Sequence, residues 1–215
     1  NMKGSTLENT NSPEPWMQLD IYPQDLSSSR NRIRTYSVIV HEYFHVYQRS
    51  LSKSTRALSD INPKWVVEGG AKVLEEIYAR QYYKKDLLKI DIQERQRWSI
   101  KRVTKEPHLY EKHKTSPKKN GFDSMYTGSA FMLLALVNEL KKNNISEEEA
   151  FELVFREYWI QRAKYTPSGT AWQVAFKDTF GMTVEDFYQR LSKYKRKDLK
   201  KILPSKTLKI QDIFS

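Results

Sequence analysis

An H-E-x-x-H motif, His41-Glu42-Tyr43-Phe44-His45, constrains this chain more than any other feature. On an α-helix each residue advances by about 100°, so His41 and His45 lie about 40° apart on one face, one turn from each other. Two imidazoles at this spacing can bind one metal ion from the same side, and Glu42 between them can reach a water held by that ion. The motif predicts a helix that carries two metal ligands and a carboxylate base.

The residues around the motif favour a long, buried helix. No Gly or Pro occurs from Asp25 to Asn62, and Ser27, Ser28 or Ser29 is expected to cap the start of the helix. A helix that is apolar nearly all round is a buried one, and its polar groups then need partners such as a metal ion. The apolar residues beside the motif are Val38, Ile39, Val40, Phe44 and Val46.

A third protein ligand is required, because a catalytic zinc ion takes three protein ligands and a water. The metzincin pattern is excluded, since Gln48 and Leu51 stand where that class has Gly and His. The other common third ligand is a Glu from a later helix, and Glu68 fits this role. Asn62 is the expected N-cap of that helix and Pro63 its first residue, which places Glu68 in the second turn.

Apolar neighbours surround Glu68, so its carboxylate is expected to be paired or bound to a metal. Gly69 and Gly70 each cost about 1 kcal/mol of helix stability relative to Ala, which suggests that another backbone, that of the motif helix, approaches closely here. Glu75 and Glu76 are competing ligands, but two turns further on they are expected to be solvated or to support a ligand. The alternative is an ordinary helix pair, with hydrogen-bonded histidines and a surface Glu68.

The motif and the downstream Glu resemble the gluzincin group of zinc metallopeptidases, in the peptidase MA-like superfamily. The similarity covers roughly residues 30 to 195, and its later segments are weak on their own. The segments that carry it are His41-Glu42-x-x-His45, Trp65-x-x-Glu68-Gly69-x-Ala71, Tyr126–Phe131 and Ala171–Phe187.

This resemblance implies a fold and a mechanism. The fold would be α+β and predominantly α-helical, a gluzincin-type catalytic domain with minimal β-structure near the N-terminus. His41, His45 and Glu68 would hold one Zn²⁺ per chain. A zinc-activated water would attack a peptide bond with Glu42 as general base, and Tyr126 would stabilise the oxyanion.

Two departures limit what the resemblance implies. The chain has no Gly-x-Met-Glu-Asn segment, with which the aminopeptidase branch holds a substrate N-terminus, so an endopeptidase is favoured. Lys72 stands four residues after Glu68, where thermolysin-like members have Asp. Tyr110 and Tyr165 are weaker alternatives to Tyr126 as oxyanion donors. A packing role at a helix start is an equally open interpretation of Tyr126.

The remaining sequence predicts one domain, residues 16–215, after a polar lead-in or linker at residues 1–15. Alternating polarity in Met17–Tyr22 predicts a strand. His108 and His113 fall in a predicted exposed loop, and no apolar run reaches membrane-spanning length. Periodicity and caps predict helices near residues 30–51, 63–83, 85–103, 125–142, 146–162, 169–179 and 183–194.

Charge and composition bear on partners. The net charge is +11, and the excess is densest in the run Lys193–Lys201. A basic segment of this kind contacts an anionic surface or is simply a solvated face, and the second interpretation is favoured because nothing resembles a nucleic-acid module. The absence of Cys excludes disulfides and a thiolate nucleophile and makes a zinc-finger site implausible.

The sequence therefore favours a zinc metallopeptidase, which is a hydrolase of peptide or protein substrates. An endopeptidase is favoured over an exopeptidase. A secreted or cell-envelope location is expected, and a cytoplasmic location and the oligomeric state stay open. No specific nucleic acid and no membrane span are expected. Two alternatives remain: a non-catalytic binding module whose basic surface contacts polyanions, and a zinc hydrolase of a non-peptide amide.

Overall fold

The computed structural model describes residues 3–7, 16–53, 58–94, 99–112, 121–165 and 170–214. Over these ranges the protein is predominantly α-helical, as the sequence predicted, with one two-stranded antiparallel sheet. The strands are β1 (Lys3–Leu7) and β2 (Trp16–Asp20). The helices are α1 (Ser29–Ser52), α2 (Leu58–Ile61), α3 (Lys64–Tyr83), α4 (Leu87–Glu94), α5 (Ser99–Lys105), α6 (Gly121–Lys141), α7 (Glu147–Glu152), α8 (Tyr158–Ala163), α9 (Ala171–Phe180), α10 (Val184–Leu191), α11 (Leu199–Ile202) and α12 (Ile210–Phe214).

The small sheet lies at the N-terminus and packs on α1. Strand β2 forms where the alternating pattern of Met17–Tyr22 predicted a strand, shifted towards the N-terminus. Its partner β1 lies within the stretch that the sequence assigned to a polar lead-in. The two strands pair with Lys3 opposite Asp20 and Leu7 opposite Trp16.

Helix α1 carries the H-E-x-x-H motif and starts where a serine cap was predicted. The Ser28 hydroxyl accepts a hydrogen bond from the Asn31 N–H at 3.1 Å. The prediction of a buried helix that is apolar nearly all round is not met, because Val38, Ile39 and Val46 are only half-buried. The buried face of α1 is mostly polar, since it packs against the polar site on α3. Its buried residues are Thr35, Ser37, His41, Glu42, Phe44, Gln48 and Ser52.

Helix α3 is buried over most of its length and packs against both α1 and α6. It starts one residue later than predicted, with Pro63 as N-cap and Lys64 as first residue. Asn62, the predicted N-cap, instead accepts hydrogen bonds from Arg162 Nε at 3.2 Å and the Tyr158 hydroxyl at 3.3 Å. The Asn62 side-chain oxygen thus contacts α8, because Arg162 on that helix is buried and needs an acceptor.

The two glycines of α3 admit close neighbours, as predicted, but from two different helices. A Cβ at Gly69 would lie 2.6 Å from the backbone oxygen of Ser129, so the backbone that approaches belongs to α6 and not to the motif helix. A Cβ at Gly70 would lie 2.7 Å from Cε1 of Phe44, a side chain of α1. Each glycine lets one partner helix approach α3, which brings Glu68 close to α1.

The apolar core surrounds α3 and α6. Trp65 has no exposed surface, stacks on Phe187 with ring centroids 5.5 Å apart and donates its Nε1–H to the Tyr188 hydroxyl at 2.9 Å. Burying an aromatic side chain of this size is worth about 3 kcal/mol or more. Because Trp65 precedes Glu68 by less than one turn, this anchor fixes the position of the carboxylate.

The later helices largely follow the predicted segments. Ser146 and Glu149 form a capping box at the start of α7, where a helix near residues 146–162 was predicted, and a π-helical turn, Leu153–Glu157, joins α7 to α8. The predicted helix 85–103 corresponds to α4 and α5, with residues 95–98 outside the described ranges. Helix α6 begins at Gly121, earlier than predicted. Within the described ranges, no helix combines the length and apolarity needed to span a membrane.

Glu76 on α3 is buried with 0 % exposure, so the prediction of a solvated or ligand-supporting group is wrong for this residue. Its Oε2 accepts a hydrogen bond from the Leu88 N–H at 2.8 Å, in the first turn of α4, and its Oε1 lies 3.7 Å from Arg80 Nε. Burial raises the pKa of Glu76 to about 7, although the Leu88 N–H and the Arg80 charge oppose the shift.

A Glu76→Gln substitution is expected to stabilise the fold increasingly as pH rises. The folded-state pKa lies above the ordinary value of 4.5, so the wild type loses stability as pH rises from about 4.5 to about 7. Gln keeps an acceptor for Leu88 and does not ionise, so the variant should be more stable by up to about 3 kcal/mol at pH 8. Urea unfolding at pH 5, 6.5 and 8 measures this, with exposed Glu185→Gln as control. A difference independent of pH would contradict it.

Candidate metal centre

Three side chains converge between α1 and α3. His41 Nε2 lies 3.1 Å from His45 Nε2 and 3.3 Å from Glu68 Oε2, and His45 Nε2 lies 3.5 Å from the same carboxylate oxygen. His41 is 6 % exposed, Glu68 is 9 % exposed and His45 is half-buried. The structure therefore brings together the three residues that the sequence singled out as metal ligands.

The spacing of these atoms fits a tetrahedral zinc ion. Zinc binds His nitrogen and carboxylate oxygen at about 2.0–2.1 Å, so two ligands of a tetrahedral site lie about 3.3–3.4 Å apart. The three separations here, 3.1, 3.3 and 3.5 Å, bracket that value. Apart from these two imidazole contacts, the buried Glu68 Oε2 has no hydrogen-bond partner in the described part of the chain. Such an oxygen is costly unless a cation or donor satisfies it.

Each imidazole is oriented by a partner at its other nitrogen. His41 Nδ1 lies 2.7 Å from Glu75 Oε1, and His45 Nδ1 lies 2.8 Å from Gln48 Oε1. A carboxylate oxygen only accepts, so His41 Nδ1 carries the hydrogen, and in the neutral ring Nε2 presents its lone pair. Metal-binding histidines commonly have a partner of this kind, which holds the ring and raises its basicity.

The acidic neighbours attract positive charge to the cluster. Burial disfavours the charged imidazole, but Glu68 and Glu75 outweigh it and raise the pKa of His41 to about 9. Burial would likewise favour a neutral Glu68, yet the two imidazoles hold its pKa well below the usual range. A divalent cation would be attracted for the same reason, and its binding requires His41 to release a proton.

Glu75 belongs to a chain of charges that runs away from the cluster. Lys72 Nζ lies 2.7 Å from Glu75 Oε2 and 3.9 Å from Asp91 Oδ2, and Arg34 Nη2 lies 3.4 Å from Asp91 Oδ1. Burial alone would raise the pKa of Glu75, but Lys72 and His41 outweigh it. The pKa therefore lies below its usual value, and the carboxylate stays ionised. Lys72 thus acts on His41 through Glu75.

Two further predicted site residues lie beside the cluster. Glu42 follows His41 on α1 and is 8 % exposed. The Tyr126 ring, near the start of α6, meets the His41 ring edge-on with centroids 5.8 Å apart. Lys64 Nζ lies 5.8 Å from the centroid of the Tyr126 ring, and burial lowers the pKa of Lys64 although the charge of Glu68 opposes this. A phenol and an ammonium group thus lie near the ligand candidates, beside the helix that carries the base candidate Glu42.

Other candidates from the sequence lie elsewhere. Tyr110 is buried against Gly128, and the Tyr165 hydroxyl donates to Asp178 on α9. His108 is exposed, as predicted, with Nδ1 3.1 Å from Glu111 Oε1. His113 falls outside the described residues.

No protein-family model, no curated protein and no solved structure matches the chain significantly. The resemblance to gluzincins therefore depends on the motif residues alone, and the convergence of three donor atoms supports a metal site independently of it.

The sequence reasoning missed two members of this cluster, Gln48 and Lys64. Gln48 follows His45 by three residues, so helical spacing alone would have placed the two side chains together. Lys64 precedes Glu68 by four residues on α3, which puts both on the same face by the same rule. Both relations were available from the sequence once the two helices had been predicted.

Proposed function

We propose that the protein is a zinc-dependent peptidase with a gluzincin-type catalytic domain. The observation that carries this proposal is the set of three donor atoms from His41, His45 and Glu68, which lie 3.1–3.5 Å apart next to the buried Glu42. The ligand set of two His and one Glu is that of several zinc peptidases. One Zn²⁺ per chain would be held between α1 and α3.

The chain's own residues divide the chemistry among them. A bound zinc ion would supply Lewis acidity, which activates water and polarises a substrate carbonyl. Glu42 accepts a proton from the attacking water on its carboxylate and delivers it to the leaving amine. Glu42 is suited to this role because it adjoins His41 in the chain and is largely shielded from solvent.

Tyr126 supplies the oxyanion contact in this proposal. Its ring packs edge-on against His41, which keeps the phenol beside the metal ligands. A hydroxyl donor to a developing oxyanion typically contributes about 3–4 kcal/mol. Lys64 adds a positive charge near the same ring and so favours negative charge there.

We further infer endopeptidase action outside the cell or at its envelope. The absence of the Gly-x-Met-Glu-Asn segment supports endopeptidase action, because that segment holds the substrate N-terminus in the aminopeptidase branch. The partner is then a peptide or protein substrate.

A mixed library of unmodified and end-blocked peptides tests the proposal. We expect cleavage within peptides, including those with blocked ends, that stops when a chelator removes zinc and returns when zinc is restored. Mass spectrometry of the products locates the bonds that are cut. Cleavage unaffected by the chelator, or no cleavage of any peptide by the zinc-loaded protein, would contradict it.

Two alternative functions predict different results in related assays. The basic side chains of the C-terminal segment are exposed, which supports a polyanion-binding module. Such a module would bind heparin with an affinity that falls steeply with salt, and it would cut no peptide. A zinc hydrolase of a non-peptide amide would instead release amines from cell-wall fragments. The exposed basic residues are Lys193, Lys195, Arg196, Lys197, Lys200, Lys201, Lys206 and Lys209.

A further inference from the structure

We propose that Gln48 is a positioning residue that fixes the tautomer of His45 and thereby keeps its Nε2 free to bind metal. This inference rests on the proposed metal site but not on peptide hydrolysis. It assigns to one buried amide a function that the sequence motif does not contain.

The hydrogen bonds of Gln48 allow only one orientation of its side-chain amide. Its side chain has no exposed surface and spans from α1 to α3. The amide nitrogen donates to the backbone oxygen of Val67 at 3.1 Å, which can only accept, so the amide oxygen faces His45 Nδ1 at 2.8 Å. His45 Nδ1 must therefore carry a hydrogen and donate it. In the neutral ring the lone pair then lies on His45 Nε2, next to His41 and Glu68.

The space for this amide depends on Gly70. A Cβ at Gly70 would lie 3.3 Å from Gln48 Nε2 and 2.7 Å from Phe44 Cε1. An added methyl group would push the amide away from Val67, whose carbonyl sets its orientation. Gly70 therefore permits the approach of α1 on which the amide geometry depends.

The two histidines have chemically different partners. His41 is held by Glu75, an ionised carboxylate whose charge is balanced by Lys72. His45 is held by a neutral amide, which adds no further negative charge. With Glu68 as the one anionic ligand, a bound Zn²⁺ would retain a net positive charge, and that charge makes a zinc site a Lewis acid.

The test compares zinc dissociation constants, measured by competition with a chromophoric chelator, for three variants of the full chain. Gln48→Met has a similar volume but offers only a weakly accepting sulfur and no donor, and we expect its dissociation constant to rise about 10–100-fold. Gln48→Glu keeps an oxygen that accepts from His45 in either protonation state and should restore zinc binding to within about tenfold of wild type. The matched control Tyr158→Phe removes a buried hydrogen bond to Asn62, away from the metal candidates, and should leave zinc affinity unchanged.

Urea unfolding of the same variants separates positioning from general stability. If Gln48 were only structural, Gln48→Met and Tyr158→Phe would lose zinc affinity in proportion to their loss of stability. The visible spectrum of the Co²⁺-loaded protein should also change in Gln48→Met, because the ligand geometry changes. Equal zinc affinity in wild type and Gln48→Met would overturn this inference and leave the proposed function intact. A wild type that binds no zinc would overturn both.

Discussion

Replacing Glu42 by Gln is expected to lower the rate of peptide hydrolysis by about 10²–10⁴-fold, the range that a general base typically contributes. Gln has nearly the same shape as Glu but cannot accept a proton from water. Zinc should stay bound, because Glu42 is not among the atoms that converge on the metal site. The assay is the initial rate of cleavage of the best peptide from the library, with the zinc content of each sample measured in parallel.

The exposed Glu185→Gln change is a matched control, since it makes the same chemical substitution at the surface. It should leave both the rate and the zinc content unchanged. Full activity in Glu42→Gln would show that another group takes the proton, and loss of zinc from that variant would show that Glu42 has a structural role instead.

Local patterns predicted much of the fold. Helix α1 followed from the motif and a serine cap, and α7 from the Ser146–Glu149 capping box, because both signals lie within one turn of the helix that they start. The start of α3 was wrong by one residue. Asn62 binds Arg162, one hundred positions away in the chain, and no local pattern shows such a partner.

The polar face of α1 was not predicted either. Hydropathy suggested that the valines and isoleucines around the motif are its most buried residues, whereas Glu42 and Gln48 are more deeply buried than Val46. The reason is the site itself, because ligand candidates and their hydrogen-bond partners lie between α1 and α3 and displace the apolar residues to the periphery. Hydrophobic periodicity cannot predict that polar residues are the more buried ones, since their burial depends on which groups face the helix.

For the candidate site, the sequence predicted the three ligand candidates, and the structure added how they are held. The spacing of Glu75 from Glu68 places it two turns along the same face of α3, so a supporting role was foreseeable. Its contact with His41 was not, because it depends on how α1 and α3 cross. The identity of the close neighbours of Gly69 and Gly70 likewise depends on packing that one chain's sequence does not show.

Glu68 is the ligand candidate with the least specific sequence signal, so its replacement has the greatest diagnostic value. Glu68→Ala removes one of three protein ligands and leaves two imidazoles facing a small gap. We expect the zinc affinity to fall by more than the roughly 100-fold typical of losing a supporting hydrogen bond, because a direct ligand is lost. Glu76→Gln, which changes a buried Glu two turns away without touching the histidines, is the control and should bind zinc as wild type does.

Elemental analysis of the purified protein after dialysis against trace zinc tests the central claim most directly. The account predicts about one zinc per chain in the wild type, none in His45→Ala and little in Glu68→Ala. A wild type that retains no zinc, or a His45→Ala variant that retains as much as the wild type, would contradict a metal centre at His41, His45 and Glu68.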